Sequence, residues 1–439
     1  MKIQNFSQNF LQFKSRPQLR AIIANTGWLF GDRILRMGAG LVVGVWVARY
    51  LGVQQYGLFN YALAFVTLFT PVFTLGLDDV VTRHLVHKSS NSDEILGTTF
   101  WLKLLGGVVS VLLAVGCMVF SDDSEPLKIS LVVILAMAGI FRASDTIELW
   151  FQSQVQSKYT VIAKNAAYLL NTFIKIALIL TNAPLLSFAW VTLAEFVMSA
   201  IGLAIIYQVK VSSLWLWRWN FSTAKRLLKE SLPLIFSGFA IMIFMKIDQI
   251  MLGQMVGNTE VGIYSAAVRI SEIWYFIPTT IVSSVAPSIY KAKEESEILY
   301  YKRIAQLLRL LGCIALLISL PMTFLSGNII VGMFGTQFVE AGPILAVHIW
   351  TSLFVFMGVA TSPWFIAEGL NNVSLGKTLL GAILNVILNF LLIPEYKGMG
   401  AAIATIISQA VAAFVSNAFD KRTQKLFKIQ LQSILPFSI

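Results

Sequence analysis

Fifteen ionisable side chains lie inside stretches of this chain that are otherwise apolar enough to cross a bilayer: Asp32, Arg33, Arg36, Lys103, Arg142, Asp145, Glu148, Lys164, Lys175, Glu195, Lys246, Asp248, Arg269, Glu272 and Arg309. Nine of the fifteen are Lys or Arg. At about 3 kcal/mol for each charge at the bilayer centre, setting all of them against lipid would cost on the order of 45 kcal/mol. They are therefore expected to face water, one another or a bound polar molecule, which predicts a polar, net-positive central cavity.

Their spacing suggests what they do. Lys164, Tyr168, Asn171 and Lys175 recur at i, i+4, i+7 and i+11, one helical face roughly 16 Å long. A stripe with two lysines suits an anion, with Tyr168 and Asn171 as supporting polar groups. Asp32 and Arg36 share a face with Gly40 and Gly44, so an ion pair and a close helix approach are expected together. Arg142, Asp145 and Glu148 follow at i+3 steps, and Arg269 and Glu272 stand in the same relation, which suits internal ion pairs. Lys246 and Asp248 are two residues apart and point to nearly opposite faces, so they cannot neutralise each other.

Lys103, Lys164, Lys175 and Lys246 have no acid three or four residues away in their own helices. With Arg36, Arg142 and Arg269 they are the candidate substrate-binding cations. Asp32, Asp145, Asp248 and Glu272 are candidates for coupling transport to H+ or Na+. Gly381, Asn385 and Asn389 share one face and Thr405 and Gln409 another; these neutral groups suit helix gluing better than sugar binding. Replacing Lys164 and Lys175 together by Ala is expected to abolish transport while leaving expression intact.

The elements that must position these groups follow from composition. Hydrophobic residues make up 57% of the 439 and charged residues 13%, with apolar runs of span length recurring throughout, which indicates an all-α polytopic membrane protein. Spans are predicted at 27–49, 56–77, 97–120, 129–149, 160–181, 184–207, 232–255, 262–289, 304–325, 342–366, 374–393 and 399–419. This gives a six-helix lobe with a cytoplasmic leading segment at 1–210, an amphipathic cytoplasmic linker at 211–231, a second six-helix lobe at 232–420 and a basic cytoplasmic tail at 421–439. With the amino terminus inside, inside segments, counting Lys377 at the inner end of its span, hold 21 Lys and Arg and outside segments three, namely Arg49 at the outer end of its span, Lys128 and Lys397. Both termini are thus expected in the cytoplasm, and no short apolar core with a cleavage site marks a removed signal peptide.

Phe6, Phe10 and Phe13 in the leading segment, and Trp215, Trp217 and Trp219 in the linker, suit the inner membrane interface. The +11 net charge has a topological origin, so no nucleic-acid partner is expected. Cys117 and Cys313 lie in different halves and are expected to be core packing, not a disulfide.

Residues 51–65 align with 256–270 at an offset of 205: Gly52 with Gly257, Gly57 with Gly262, Phe59 with Tyr264 and Ala62 with Ala267. Each copy joins the first two spans of its half, and Pro71 and Pro278 follow at comparable depth. Two halves repeated in one orientation imply a pseudo-two-fold axis along the membrane normal, the arrangement of a transporter whose lobes rock about a central site.

HExxH, GxxxxGKS/T, CxxC and GxSxG are absent, and His84, His87 and His348 are too scattered for a metal site. No enzymatic role, metal or cofactor is expected, and secondary transport is favoured over an ATP-driven pump.

The stretches at 28–65, 245–278, 327–345 and 384–409 resemble Wzx-type polysaccharide flippases, and the likeness runs through nearly the whole chain at matching spacing. That resemblance implies membership of the multidrug, oligosaccharidyl-lipid and polysaccharide exporter superfamily, two six-helix lobes and alternating access. It implies as cargo an oligosaccharide on a polyprenyl pyrophosphate, carried from the inner to the outer leaflet of the bacterial plasma membrane, with a polysaccharide polymerase or export machinery as candidate partners. Twelve predicted spans, against fourteen in some relatives, weigh against the lipid II branch. The runner-up is a cation-coupled drug or metabolite antiporter of the same superfamily, better served by a carboxylate-rich cavity. A membrane enzyme of polysaccharide assembly is third; it would want a long external loop carrying chemistry, and the largest, Ser326 to Pro343, holds one carboxylate, Glu340.

Overall fold

Long apolar runs punctuated by glycine and proline leave the backbone one way to satisfy its polar groups in hydrocarbon, which is to stay helical. The computed structural model describes residues 17–87, 91–121 and 125–434, and among these there is no strand. The predicted interfacial run at Phe6, Phe10 and Phe13 lies outside the described residues. Seventeen α-helices follow in chain order. The first eight are α1 (Pro17–Thr67), α2 (Thr70–Thr74), α3 (Leu77–His87), α4 (Ser92–Val119), α5 (Pro126–Phe141), α6 (Asp145–Ser153), α7 (Lys158–Leu180) and α8 (Leu185–Lys210). The remainder are α9 (Phe221–Met255), α10 (Asn258–Glu272), α11 (Phe276–Glu295), α12 (Glu297–Phe334), α13 (Ala341–His348), α14 (Thr351–Ala367), α15 (Asn371–Ala410), α16 (Ser416–Phe419) and α17 (Gln424–Ile434).

Nine helical runs among the described residues are long and apolar enough to cross a membrane. Two of them bend where the sequence predicted a loop between spans: α1 at Gly52 and α15 at Lys397. Gly52 has φ +71° and ψ 171°, and its aligned partner Gly257, which opens α10, has φ +118° and ψ 175°. That region of backbone space is essentially reserved for glycine, so both copies of the repeat turn by the same means. Pro71 and Pro278 each fall in the first turn of a new helix, α2 and α11, after a break at 68–69 and a 3₁₀ turn at Ile273–Tyr275. Proline is tolerated there because its missing N–H would have had no helical partner.

The chain divides into two compact units, Met1–Val47 with Phe69–Phe239 and Ala48–Leu68 with Ala240–Ile439. Segment 48–68 thus packs with the second unit, and the linker with the first. Ala224 and Leu227 of the linker are buried with Leu77, Val81, Leu85 and Phe151 in the first unit's core. Trp217 joins them through an Nε1 hydrogen bond to Tyr207 Oη at 3.2 Å, whereas Trp215 and Trp219 stay exposed. Half of the linker is therefore the opening of α9 rather than a separate interfacial segment. The tail is also docked: Leu426 of α17 is buried in the second unit's core with Tyr300, Ile304 and Trp364.

Three further sequence expectations need correction. His84 and His87 belong to helix α3, not to a loop. The predicted external loop from Ser326 is, through Phe334, the last turns of α12. Cys117 and Cys313 are exposed on α4 and α12 and so do not pack the core; a thiol is apolar enough to face lipid without cost.

Candidate functional site

In the first unit α7 presents its stripe as predicted, but the stripe meets partners that spacing within one helix could not reveal. Lys164 Nζ lies 2.8 Å from Asp145 Oδ1 and is also bonded to Glu148. Arg142 Nε stands 3.4 Å from the other Asp145 oxygen, with its guanidinium 4.4 Å from the Phe73 ring centre. Lys164 is thus clamped between two carboxylates of the 3₁₀-to-α6 segment and is not an unpaired ammonium. A turn along the stripe, Tyr168 donates to the Arg36 carbonyl at 3.1 Å and carries the Arg36 guanidinium over its ring. Asn171, fully buried, donates to Glu195 of α8 at 2.6 Å. Lys175 follows, half-buried, on the same face.

Arg36 is the hub of this second group. Its Nε pairs with Asp32 at 2.8 Å and one terminal nitrogen stands 3.8 Å from Glu195, while the buried Nη2 has no hydrogen-bond partner. The expected close approach at Gly40 is present, since a Cβ there would stand 3.0 Å from the Tyr168 hydroxyl. These pairs are not sealed in a dry interior: Asp32 and Arg36 keep 24% and 29% side-chain exposure, and Lys164 keeps 25%. Together the two groups set three cations, Arg36, Arg142 and Lys164, against four carboxylates, Asp32, Asp145, Glu148 and Glu195. Lys103, buried on α4, lies within electrostatic reach of Asp145 but pairs at 2.5 Å with Asp78 of α3, an acid outside the fifteen and placed by the sequence in a loop. Arg33 and Arg309, counted among the buried charges, are exposed.

In the second unit the centre is Asp248 of α9, buried to 4% exposure. One carboxylate oxygen accepts from Asn389 Nδ2 at 2.6 Å, and the other lies 2.7 Å from Tyr264 Oη and 2.6 Å from Thr405 Oγ1. Asn385 Oδ1 accepts from Asn389 at 3.2 Å, leaving Asn385 Nδ2 and Asn389 Oδ1 buried without partners. The amides predicted as glue do hold α9 to α15, but what they bind is a carboxylate. These hydrogen bonds reach Asp248 from α9's neighbours α10 and α15, through Tyr264, Asn389 and Thr405. Lys246 stands within electrostatic reach of Glu272. Arg269 and Glu272, both half-buried, lie on α10.

The geometry is that of polar networks inside apolar helices, with no His, Cys, Asp and Glu cluster that could hold a metal ion among the described residues. A family described as polysaccharide biosynthesis protein matches residues 22–293. The chain belongs to that family. It is similar to "Probable flippase AglR" of Haloferax volcanii, with 24% identity over 90% of the chain and 83% of the relative. Its fold is similar to that of a solved inward-facing multidrug resistance MATE family transporter of the MOP superfamily (TM-score 0.72, 16% identity, covering 90% of this chain and 95% of the other). It is also similar to the lipid II flippase MurJ in an inward closed conformation (TM-score 0.70, 17% identity, 94% and 91% covered). The resemblance to Wzx-type flippases is thereby borne out, and transport, not enzymatic chemistry, is the class of function.

Proposed function

We propose that this protein flips a polyprenyl-pyrophosphate-linked oligosaccharide from the cytoplasmic to the outer leaflet of a bacterial plasma membrane, by alternating access of two lobes. Family membership and the flippase relative support the cargo class. The observation that carries the reading is Arg36: a partly exposed guanidinium fixed by Asp32 and Glu195, with a buried Nη2 that has donor capacity to spare. A planar donor fork of this kind suits a phosphate oxygen. Asp32, Glu195, Asn171 and Tyr168 surround it with the acceptors and donors that sugar hydroxyls need. The anion-binding role expected of the two-lysine stripe passes here to Arg36, because Lys164 is already engaged.

Asp248 is the proposed seat of ion coupling. A buried carboxylate held by hydroxyl and amide groups, beside amide atoms without partners, can take up a proton or hold Na+ among the oxygens of Asp248, Asn385, Asn389 and Thr405. Both termini are assigned to the cytoplasm on the Lys and Arg asymmetry, and a reporter fused after Asp420 that reads as external would overturn this. A polysaccharide polymerase or export machinery remains the proposed partner.

The test is reconstitution. Liposomes carrying the protein should move a fluorescent lipid-linked oligosaccharide between leaflets with its glycosidic bonds intact, and Arg36→Gln should lower the rate at least tenfold. The two carboxylates beside Arg36, Asp32 and Glu195, favour one second reading, a cation-coupled antiporter. Efflux of organic cations with no lipid movement would establish that reading and sink the first.

A further inference from the structure

A groove of about 960 Å³ opens in the second unit between the start of α15 and the chain that follows α16. Its polar wall carries Lys377, Lys421 and Arg422 against a single acid, Asp420. Lys377 is 8% exposed and bonds to Asn417 and, at 3.1 Å, to Thr423 Oγ1, both neutral, with its ammonium 5.1 Å from the Phe365 ring centre. Asp420 is occupied by Arg422, which reaches both of its carboxylate oxygens, at 3.1 and 2.9 Å. The buried ammonium therefore has no carboxylate bonded to it; Asp420 lies within its electrostatic reach but is shared with Arg422, so a buried cation hydrogen-bonded only to neutral groups gains from the approach of a further anion. Lys421 and the outer part of Arg422 are exposed at the mouth.

The other wall is apolar. Leu380 and Phe419 line it, and from Leu380 an exposed row continues along α15 through Ile383, Ile387 and Leu391. These fall at i, i+3, i+7 and i+11, so the row extends roughly 16 Å from the groove, about half of a typical 30 Å hydrocarbon core. A cationic pocket at one end of a lipid-facing stripe one leaflet long matches one kind of molecule in both chemistry and length.

We propose that this groove binds an anionic glycerophospholipid, its headgroup phosphate held by Lys377, Lys421 and Arg422 and an acyl chain laid along Leu380, Ile383, Ile387 and Leu391. Basic pockets beside helix ends take such headgroups through the same pairing. Lys377 is the fixed contact, and Lys421 and Arg422 close over the phosphate from the mouth. The site is separate from the networks around Arg36 and Asp248 and does not depend on what cargo is carried.

The experiment titrates the purified full chain in detergent with dioleoyl phosphatidylglycerol, dioleoyl phosphatidylcholine or inorganic phosphate, and reads retained lipid by native mass spectrometry and thermal shift. Phosphatidylglycerol should bind at least fivefold more tightly than phosphatidylcholine, and millimolar phosphate should not displace it. K421Q/R422Q, which changes two exposed side chains, should erase that preference while the lipid-free protein melts as wild type. Lys377→Met is the companion variant, with the same expected loss. Equal binding of the two lipids, an unchanged preference in K421Q/R422Q, or displacement by free phosphate would overturn the proposal.

Discussion

Gly57 and Gly262, equivalent positions of the two repeat copies, pack backbone against backbone, and the packing is reciprocal. A Cβ on Gly57 would run into the carbonyl of Asn258 and the amide of Gly262; one on Gly262 would run into the carbonyl of Val53 and the amide of Gly57. Val53 and Asn258 are themselves an aligned pair at the offset of 205. Such exchange of equivalent partners is what a two-fold relation between the copies would produce. It explains physically why segment 48–68 belongs with the second unit.

Because both obstacles are backbone, neither can step aside. Gly57→Ala and Gly262→Ala should each destabilise the protein by about 1–3 kcal/mol, the usual cost of overpacking. Gly38, where an added Cβ would meet nothing within 4 Å, is the control: Gly38→Ala should be neutral or stabilising by up to about 1 kcal/mol. Thermal melts in detergent decide, and a Gly57→Ala melt equal to wild type would remove the tight crossing.

Lys164 holds two carboxylates apart. Its substitution by Ala should therefore cost stability, on the order of 1–3 kcal/mol for a lost charged hydrogen-bond partner in a partly hydrated site. This revises the expectation that Lys164→Ala with Lys175→Ala spares the fold. Combining Lys164→Ala with D145N and E148Q should recover most of the loss. Failure to recover would mean that the lysine stabilises by packing and not by charge.

Asp248→Asn nearly preserves shape but removes the ionisable group. Flipping should become insensitive to imposed pH and Na+ gradients, with the rate on a gradient falling at least tenfold and substrate binding retained. Thr405→Val should weaken the same response. A D248N protein that still responds to either gradient would place coupling elsewhere.

Cys117 and Cys313 are exposed on apolar helices. In intact membranes a water-soluble, impermeant maleimide should leave both unmodified, whereas in denaturing detergent both should react. Labelling of either in the membrane would show it facing water.

Helices, the bend at Gly52 and the pairing of Asp32 with Arg36 were legible in the sequence because each depends on residues close in the chain: apolar run length, glycine's freedom at positive φ and i, i+4 reach. The likeness of Gly52 to Gly257 was legible too, as matched glycines, and so was the exporter-type resemblance. The partners of the buried charges were not. Lys164 found Asp145 and Glu148, Lys103 found Asp78, and Arg36 found Glu195, each on another helix. Periodicity tells which face a side chain occupies, but not which neighbour that face meets or how deeply; helix packing decides that. The sequence alone therefore determined that many charges had to be sheltered within a membrane protein, and only the tertiary structure decided which were neutralised by one another and which retained capacity for a ligand.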